Sequence, residues 1–265
     1  MCGITGSITL SKKSNIDQDT LFQMTESMLH RGPDDNGYHI SDKYMIGMRR
    51  LSIIDVSNGK QPIYNDDNSI AIILNGEIYN YQELRKSLEK KGVSFKTRTD
   101  TEVILKMYEY YGLESITEIK GMFAFCLIDF KKDLTWIVRD RFGIKPLIYY
   151  MDEDKFVFGS TIDAVKKSFD DEPIIDDYSL YLYMMMSYVP TPRTIYKDIY
   201  KLLPGHQVII NKNRVEISSY WNADNFDETQ EIFDKEVFHN YMTNIVNSHL
   251  ISEKPLGTFL SGGLD

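Results

Sequence analysis

The first residue of this sequence with chemistry to offer is Cys2, because removal of Met1 would leave a thiol and a free α-amine on one residue. A small second residue is of the kind that methionine aminopeptidase generally accepts. An α-amino group titrates near about 7.7 to 8.0, so close to neutral pH part of it is unprotonated and can take the thiol proton. The predicted chemistry is nucleophilic attack by sulfur, with no histidine required. Taken alone, a cysteine at position 2 is more readily an accident of a frayed terminus. The other cysteine, Cys126, lies inside the apolar run MFAFCLI and is expected to be a small buried hydrophobe. His30, His39, His206, His239 and His249 are scattered without metal-ligand spacing, so neither a metal site nor a disulfide framework is expected.

The elements that must position Cys2 are short strands rich in β-branched and aromatic residues. They are expected at Gly3 to Leu10, Tyr44 to Met48, Ile70 to Leu74, Phe123 to Asp129, Leu134 to Arg139, Leu147 to Tyr150, Phe156 to Ser160 and Gln207 to Ile210. Helical patterns fall at about Gln18 to Leu29, Tyr81 to Lys91 and Thr101 to Tyr111, with Asp17, Asn80 and Asp100 placed as N-caps. Turns of a few residues, as at Asp129 to Asp133 and Asp152 to Asp154, suit hairpins and exclude parallel crossovers, so the sheets are expected to be antiparallel. Runs such as SIAIILN and MFAFCLID read as buried on both faces. The fold class predicted is α+β, a four-layer αββα sandwich. After Tyr220 an acidic stretch (NADNFDETQE) leads into a helical pattern carrying Phe233, Val237, Phe238, Tyr241, Ile245 and Leu250, and a domain boundary is placed there, dividing 1–219 from 220–265.

Bulk composition narrows the function classes. With 42% hydrophobic and 26% charged residues over 265 positions the chain has the composition of a globular protein. Its net charge of -9, from 39 acidic and 30 basic residues, lacks the electrostatic footprint of a nucleic-acid binder. No run of eighteen apolar residues exists, and the opening MCGITGSITLSKKS has neither the basic start nor the apolar stretch of a signal peptide. No nucleic-acid or membrane partner is expected, and the expected location is cytoplasmic.

Cys2 is followed by an ordered set of blocks: RGPDD (Arg31 to Asp35), RRLSIID (Arg49 to Asp55), NGEIYN (Asn75 to Asn80), RTDTEV (Arg98 to Val103), KGMFAF (Lys120 to Phe125), RDRFGIKPL (Arg139 to Leu147), YVPTPRTIY (Tyr188 to Tyr196) and KLLPGH (Lys201 to His206). In joint order and spacing this chain resembles the glutamine-hydrolysing asparagine synthetases, over their N-terminal class II glutamine amidotransferase domain. The resemblance implies a fold of N-terminal-nucleophile hydrolase type and glutamine as substrate. It makes Cys2 the nucleophile, with Asn75 and the Gly76 N–H as the oxyanion hole. Arg50 matches the family arginine that holds the substrate carboxylate, a contact that suits a guanidinium fork. Glu77 and Asp100 match the acidic pair that receives the α-ammonium group. Backbone contacts to glutamine are expected along Arg50, Leu51, Ser52, Ile53 and Ile54. RGPDD is read as shaping the pocket loop, which leaves Arg31 out of the catalytic set. Arg49 is read as a solvated or paired surface arginine, and RDRFGIKPL as a structural hairpin.

At the other end KPLGTFL reads as a short strand, and SGGLD matches the start of a pyrophosphate-binding loop. By resemblance this opens an α/β ATP-pyrophosphatase-like domain, with Leu260, Ser261, Gly262, Gly263 and Asp265 as part of an ATP site served by Mg2+. In the intact family aspartate is the acceptor of ammonia from glutamine, and a homodimer is allowed. A chain ending at Asp265 would keep glutaminase chemistry and lack most of the ATP site. The alternative is the glutaminase half of a related amidotransferase that amidates a different carboxylate. A phosphoribosyltransferase or sugar isomerase partner domain is argued against by SGGLD, and a binding module without catalysis by the joint presence of Cys2, Arg50, Asn75, Gly76, Glu77 and Asp100.

Overall fold

The computed structural model describes residues 1–11, 16–225 and 234–263. Among them twelve strands form two six-stranded sheets, antiparallel at every pairing. One sheet contains β1 (Gly3–Thr9), β2 (Asp35–Ile40), β3 (Tyr44–Arg50), β8 (Ile148–Met151), β9 (Lys155–Gly159) and β10 (Ile199–Lys201). The other contains β4 (Ile63–Tyr64), β5 (Ile70–Ile78), β6 (Gly121–Asp129), β7 (Leu134–Arg139), β11 (His206–Asn211) and β12 (Arg214–Ser219).

Strand periodicity explains how the layers stack. In β5, Ile70, Ile72 and Leu74 point to one face and Ile73 to the other, and in β6 Phe123, Phe125 and Leu127 alternate with Ala124, Cys126 and Ile128. The first set packs against Val103, Ile104 and Met107 of α3 (Asp100–Tyr111) and Leu88 of α2 (Tyr81–Lys90). The second meets Ile4, Ile8, Ile46 and Met48 of the facing sheet. A third core joins that sheet to Leu21 and Met24 of α1 (Gln18–Glu26) and Val165 of α4 (Ile162–Lys166). The order helix, sheet, sheet, helix is the four-layer sandwich expected, and Cys126 is fully buried in the middle core.

Several local expectations are corrected. Thr99, not Asp100, caps α3, its hydroxyl taking the Glu102 N–H at 3.2 Å, because Asp100 turns its carboxylate to the Ile78 N–H instead. Asn80 makes no side-chain cap on α2; its side chain ties Glu118 and Lys120 of the approach to β6. RDRFGIKPL is no hairpin, since it carries the chain from β7 in one sheet to β8 in the other. Asp140 organises that crossover by accepting N–H groups from Phe142, Ile144 and Lys145 at 2.9 to 3.1 Å. KPLGTFL forms no strand: Phe259 and Leu260 are exposed, and among the described residues the segment pairs with neither sheet. The helical pattern after Tyr220 appears as α6 (Lys235–His249), while Phe233 lies outside the described residues. Among the described residues no helix is long and apolar enough to cross a membrane.

Candidate active site

Cys2 stands just before β1, whose Gly3 pairs with Arg49 near the end of β3. That register delivers Arg50 and the following loop to the side of the thiol. The Leu51 N–H lies 3.4 Å from Cys2 Sγ, and the thiol reaches the Leu51 carbonyl at 3.6 Å. Arg31 donates to the Cys2 carbonyl at 3.0 Å, and Asp34 accepts the Ser52 N–H at 2.8 Å. RGPDD thus fixes the backbone of Cys2 and of its neighbouring loop.

From the second sheet, β5 brings Asn75, Gly76 and Glu77 to the same place. Gly76 is opposite Phe123, and a Cβ on it would fall 2.3 Å from the Met122 carbonyl oxygen. The glycine is thus needed by strand packing, beyond any approach to a ligand. Asp100, at the first turn of α3, is tied to the end of β5 by its 3.0 Å contact with Ile78.

These residues converge on one cavity of about 320 Å3, lined by Cys2, Arg50, Leu51, Ile53, Ile54, Asn75, Gly76, Glu77 and Asp100 among others. Ser52 is not in that lining, because its N–H is spent on Asp34 and its side chain is buried. Inside, both amide atoms of Asn75 are buried without a hydrogen-bond partner. Such orphans are rare in native interiors and mark a place where a partner is supplied from elsewhere. The Arg50 guanidinium is buried and held by the carbonyls of Ile54 and Asp55, each at 2.9 Å, and of Val56 at 3.3 Å. Arg49 is paired but buried, not at the surface: it donates to Gly32 and to Glu26.

Charge inside the cavity is shaped by desolvation. Burial pushes the Cys2 thiol up, with the Leu51 N–H and nearby positive charges opposing it. Burial raises Asp100 to about 6, and raises Glu77 as well, against the pull of Lys145. Lys145, buried on the crossover loop, lines the cavity with its Nζ 3.4 Å from Met1 Sδ, and burial lowers its pKa. Nothing in the sequence singled out Lys145; it is the lysine of RDRFGIKPL, and its place at the cavity is visible only once that block is known to cross between sheets.

Leu260, Ser261, Gly262 and Gly263 are exposed and take no part in this cavity, and Asp265 lies outside the described residues. Gly262 has φ of 76° and Ser261 Oγ accepts the Gly263 N–H at 3.3 Å.

Comparison with known proteins agrees with the fold. Residues 1–221 match the glutamine amidotransferase domain family. The chain is 40% identical along its whole length to glutamine-hydrolysing asparagine synthetase 1 of Bacillus subtilis, and 34% identical to asparagine synthetase B of Escherichia coli. It spans 42% and 43% of those two proteins, less than half of each. Among solved structures, glutamine phosphoribosylpyrophosphate amidotransferase of Bacillus subtilis superposes with a TM-score of 0.59 at 19% identity, over 83% of this chain and 49% of that one, which speaks to the fold alone. With its four layers, and with a match covering every element that builds the cavity, this chain belongs to the glutamine amidotransferase domain family.

Proposed function

We propose that this chain is the glutaminase half of a glutamine-hydrolysing asparagine synthetase. The observation that carries the glutaminase part is the buried, unpartnered Asn75 amide lining the same cavity as the Cys2 thiol. With Met1 removed, the Cys2 α-amine takes the thiol proton as sulfur adds to the amide carbon of glutamine. The Asn75 N–H2 and the Gly76 N–H meet the oxyanion, a contact made strongest in the transition state. Collapse expels ammonia, which leaves with the proton held by the amine, and water then cleaves the thioester to glutamate. Arg50 holds the α-carboxylate, and Glu77 with Asp100 the α-ammonium group.

Residues 1–219 form the glutaminase domain in this reading and 220–265 begin the synthetase domain. Aspartate as acceptor, ATP with Mg2+, a homodimer and a cytoplasmic location belong to the whole protein and rest on the likeness to the curated relatives. The test is release of glutamate and ammonia from glutamine by the protein after Met1 removal, verified by intact mass, beside Cys2→Ala. Activity lost in the variant supports the reading, and activity retained at the parental rate overturns it. For the acceptor, ATP-dependent amidation by the whole protein is compared between aspartate and other carboxylates, and preference for another acid refutes asparagine synthesis.

A further inference from the structure

The loop 53–56 is held from two sides. On the cavity side its carbonyls receive the Arg50 guanidinium, through Ile54, Asp55 and Val56. On the outer side it is clasped by a residue nearly two hundred positions away. The Glu253 N–H donates to the Ile53 carbonyl at 3.1 Å, and Glu253 Oε2 accepts the Val56 N–H at 3.3 Å. Its other oxygen pairs with Arg98 at 3.3 Å, and the Arg98 N–H in turn donates to the buried Asp55 carboxylate at 2.9 Å. The segment that presents Glu253 is itself seated, for Ile251 packs on the helix-side core and the His249 ring lies 3.8 Å from that of Tyr79. Glu253 does not line the cavity.

We propose that Glu253 is a positioning residue for glutamine: by fixing the 53–56 loop it holds the three carbonyls that aim the Arg50 fork. The proposal rests on the glutaminase reading above, in which Arg50 takes the substrate carboxylate. A guanidinium binds a carboxylate well when its donors are fixed beforehand, because little freedom is then lost on binding. The carboxylate is held in the ground state and the transition state alike, so a loosened fork weakens glutamine binding without slowing the bound complex.

The experiment compares parent, Glu253→Ala and Glu253→Gln. Glu253→Ala is expected to raise KM for glutamine about fivefold, the effect of one hydrogen bond, with kcat within about twofold of the parent. Glu253→Gln keeps an acceptor for the Val56 N–H and loses only the charge facing Arg98, so most of the parental KM returns. Glutamine should also protect Cys2 of the Ala variant from alkylation only at correspondingly higher concentration. An unchanged KM in Glu253→Ala overturns the proposal, as does a joint fall of kcat and melting temperature that Gln fails to rescue. A parent that hydrolyses no glutamine would instead remove the glutaminase reading, and it is assayed first.

Discussion

The backbone of Leu51 meets the Cys2 sulfur with both of its polar groups, the N–H at 3.4 Å and the carbonyl at 3.6 Å. The carbonyl favours a protonated thiol and the N–H a thiolate, so the same residue can serve both states of the sulfur. While Met1 is attached, burial dominates and holds the thiol above its ordinary value. The α-amine that could take its proton is then tied up in a peptide bond. Removing Met1 is therefore expected to speed alkylation of Cys2 by iodoacetamide at neutral pH on the order of tenfold. Mass spectrometry that resolves the two forms in one reaction measures both rates, and equal rates would contradict the shared role of thiol and amine.

Asn75→Ala should separate catalysis from stability. Neither amide atom bonds to another group of the protein, so truncation breaks no hydrogen bond within the fold. Turnover of glutamine is expected to fall by about a hundredfold to a thousandfold, as when one oxyanion donor is lost, with the melting temperature nearly unchanged. A variant that loses stability in proportion to its activity would show Asn75 to be structural.

Gly76→Ala should cost stability as well as activity. The added methyl would meet the Met122 carbonyl at 2.3 Å and the Phe123 Cα at 2.6 Å, both backbone atoms of β6 that cannot turn aside. The two central strands must part, at a cost of about 1–3 kcal/mol in urea unfolding. Equal stability of variant and parent would mean that the β5–β6 pairing is looser than its register indicates.

Much of this arrangement was legible because β5 and β6 carry apolar residues on both faces, which only a strand between two packed layers can satisfy. The hairpin turns then forced antiparallel pairing. What stayed hidden is tertiary. Thr99 and Asp100 are equally good caps in sequence, and only the Ile78 N–H, brought in from the neighbouring strand, decides between them. The helix α5 (Asp177–Met186) carries Tyr, Leu and Met all round, with many of them exposed, so no helical periodicity announces it. The resemblance supplied Cys2, Arg50, Asn75, Glu77 and Asp100 as a set, yet Ser52 and Leu51, adjacent in the same block, part company because Asp34 claims one of them. Glu253 could not have been found from sequence, since its partners lie far away along the chain.

Asp100 gives the site a pH dependence with two opposite signs. Complete burial lifts its carboxyl to about 6, more than the N–H groups of Ile78 and Thr101 lower it, and the charge of Glu77 adds to the rise. In its proposed role of receiving an α-ammonium group it must be ionised, so KM for glutamine is expected to climb about tenfold per pH unit once pH drops below about 6. Stability runs the other way. The folded state binds this proton more tightly than the unfolded chain, where the value is an ordinary 3.8. Below about pH 4 the carboxyl is protonated in both states and costs nothing, and as pH rises through about 6 the folded state loses at most about 3 kcal/mol in all, the cost of ionising the group inside. Asp100→Asn keeps an oxygen for the Ile78 N–H without the buried charge. At neutral pH it should melt above the parent while binding glutamine poorly, and its KM should lose the rise below about pH 6. Near pH 4 the stability gain should vanish, and a variant that is destabilised at neutral pH would show the carboxylate to be held by more than the contacts that oppose its burial.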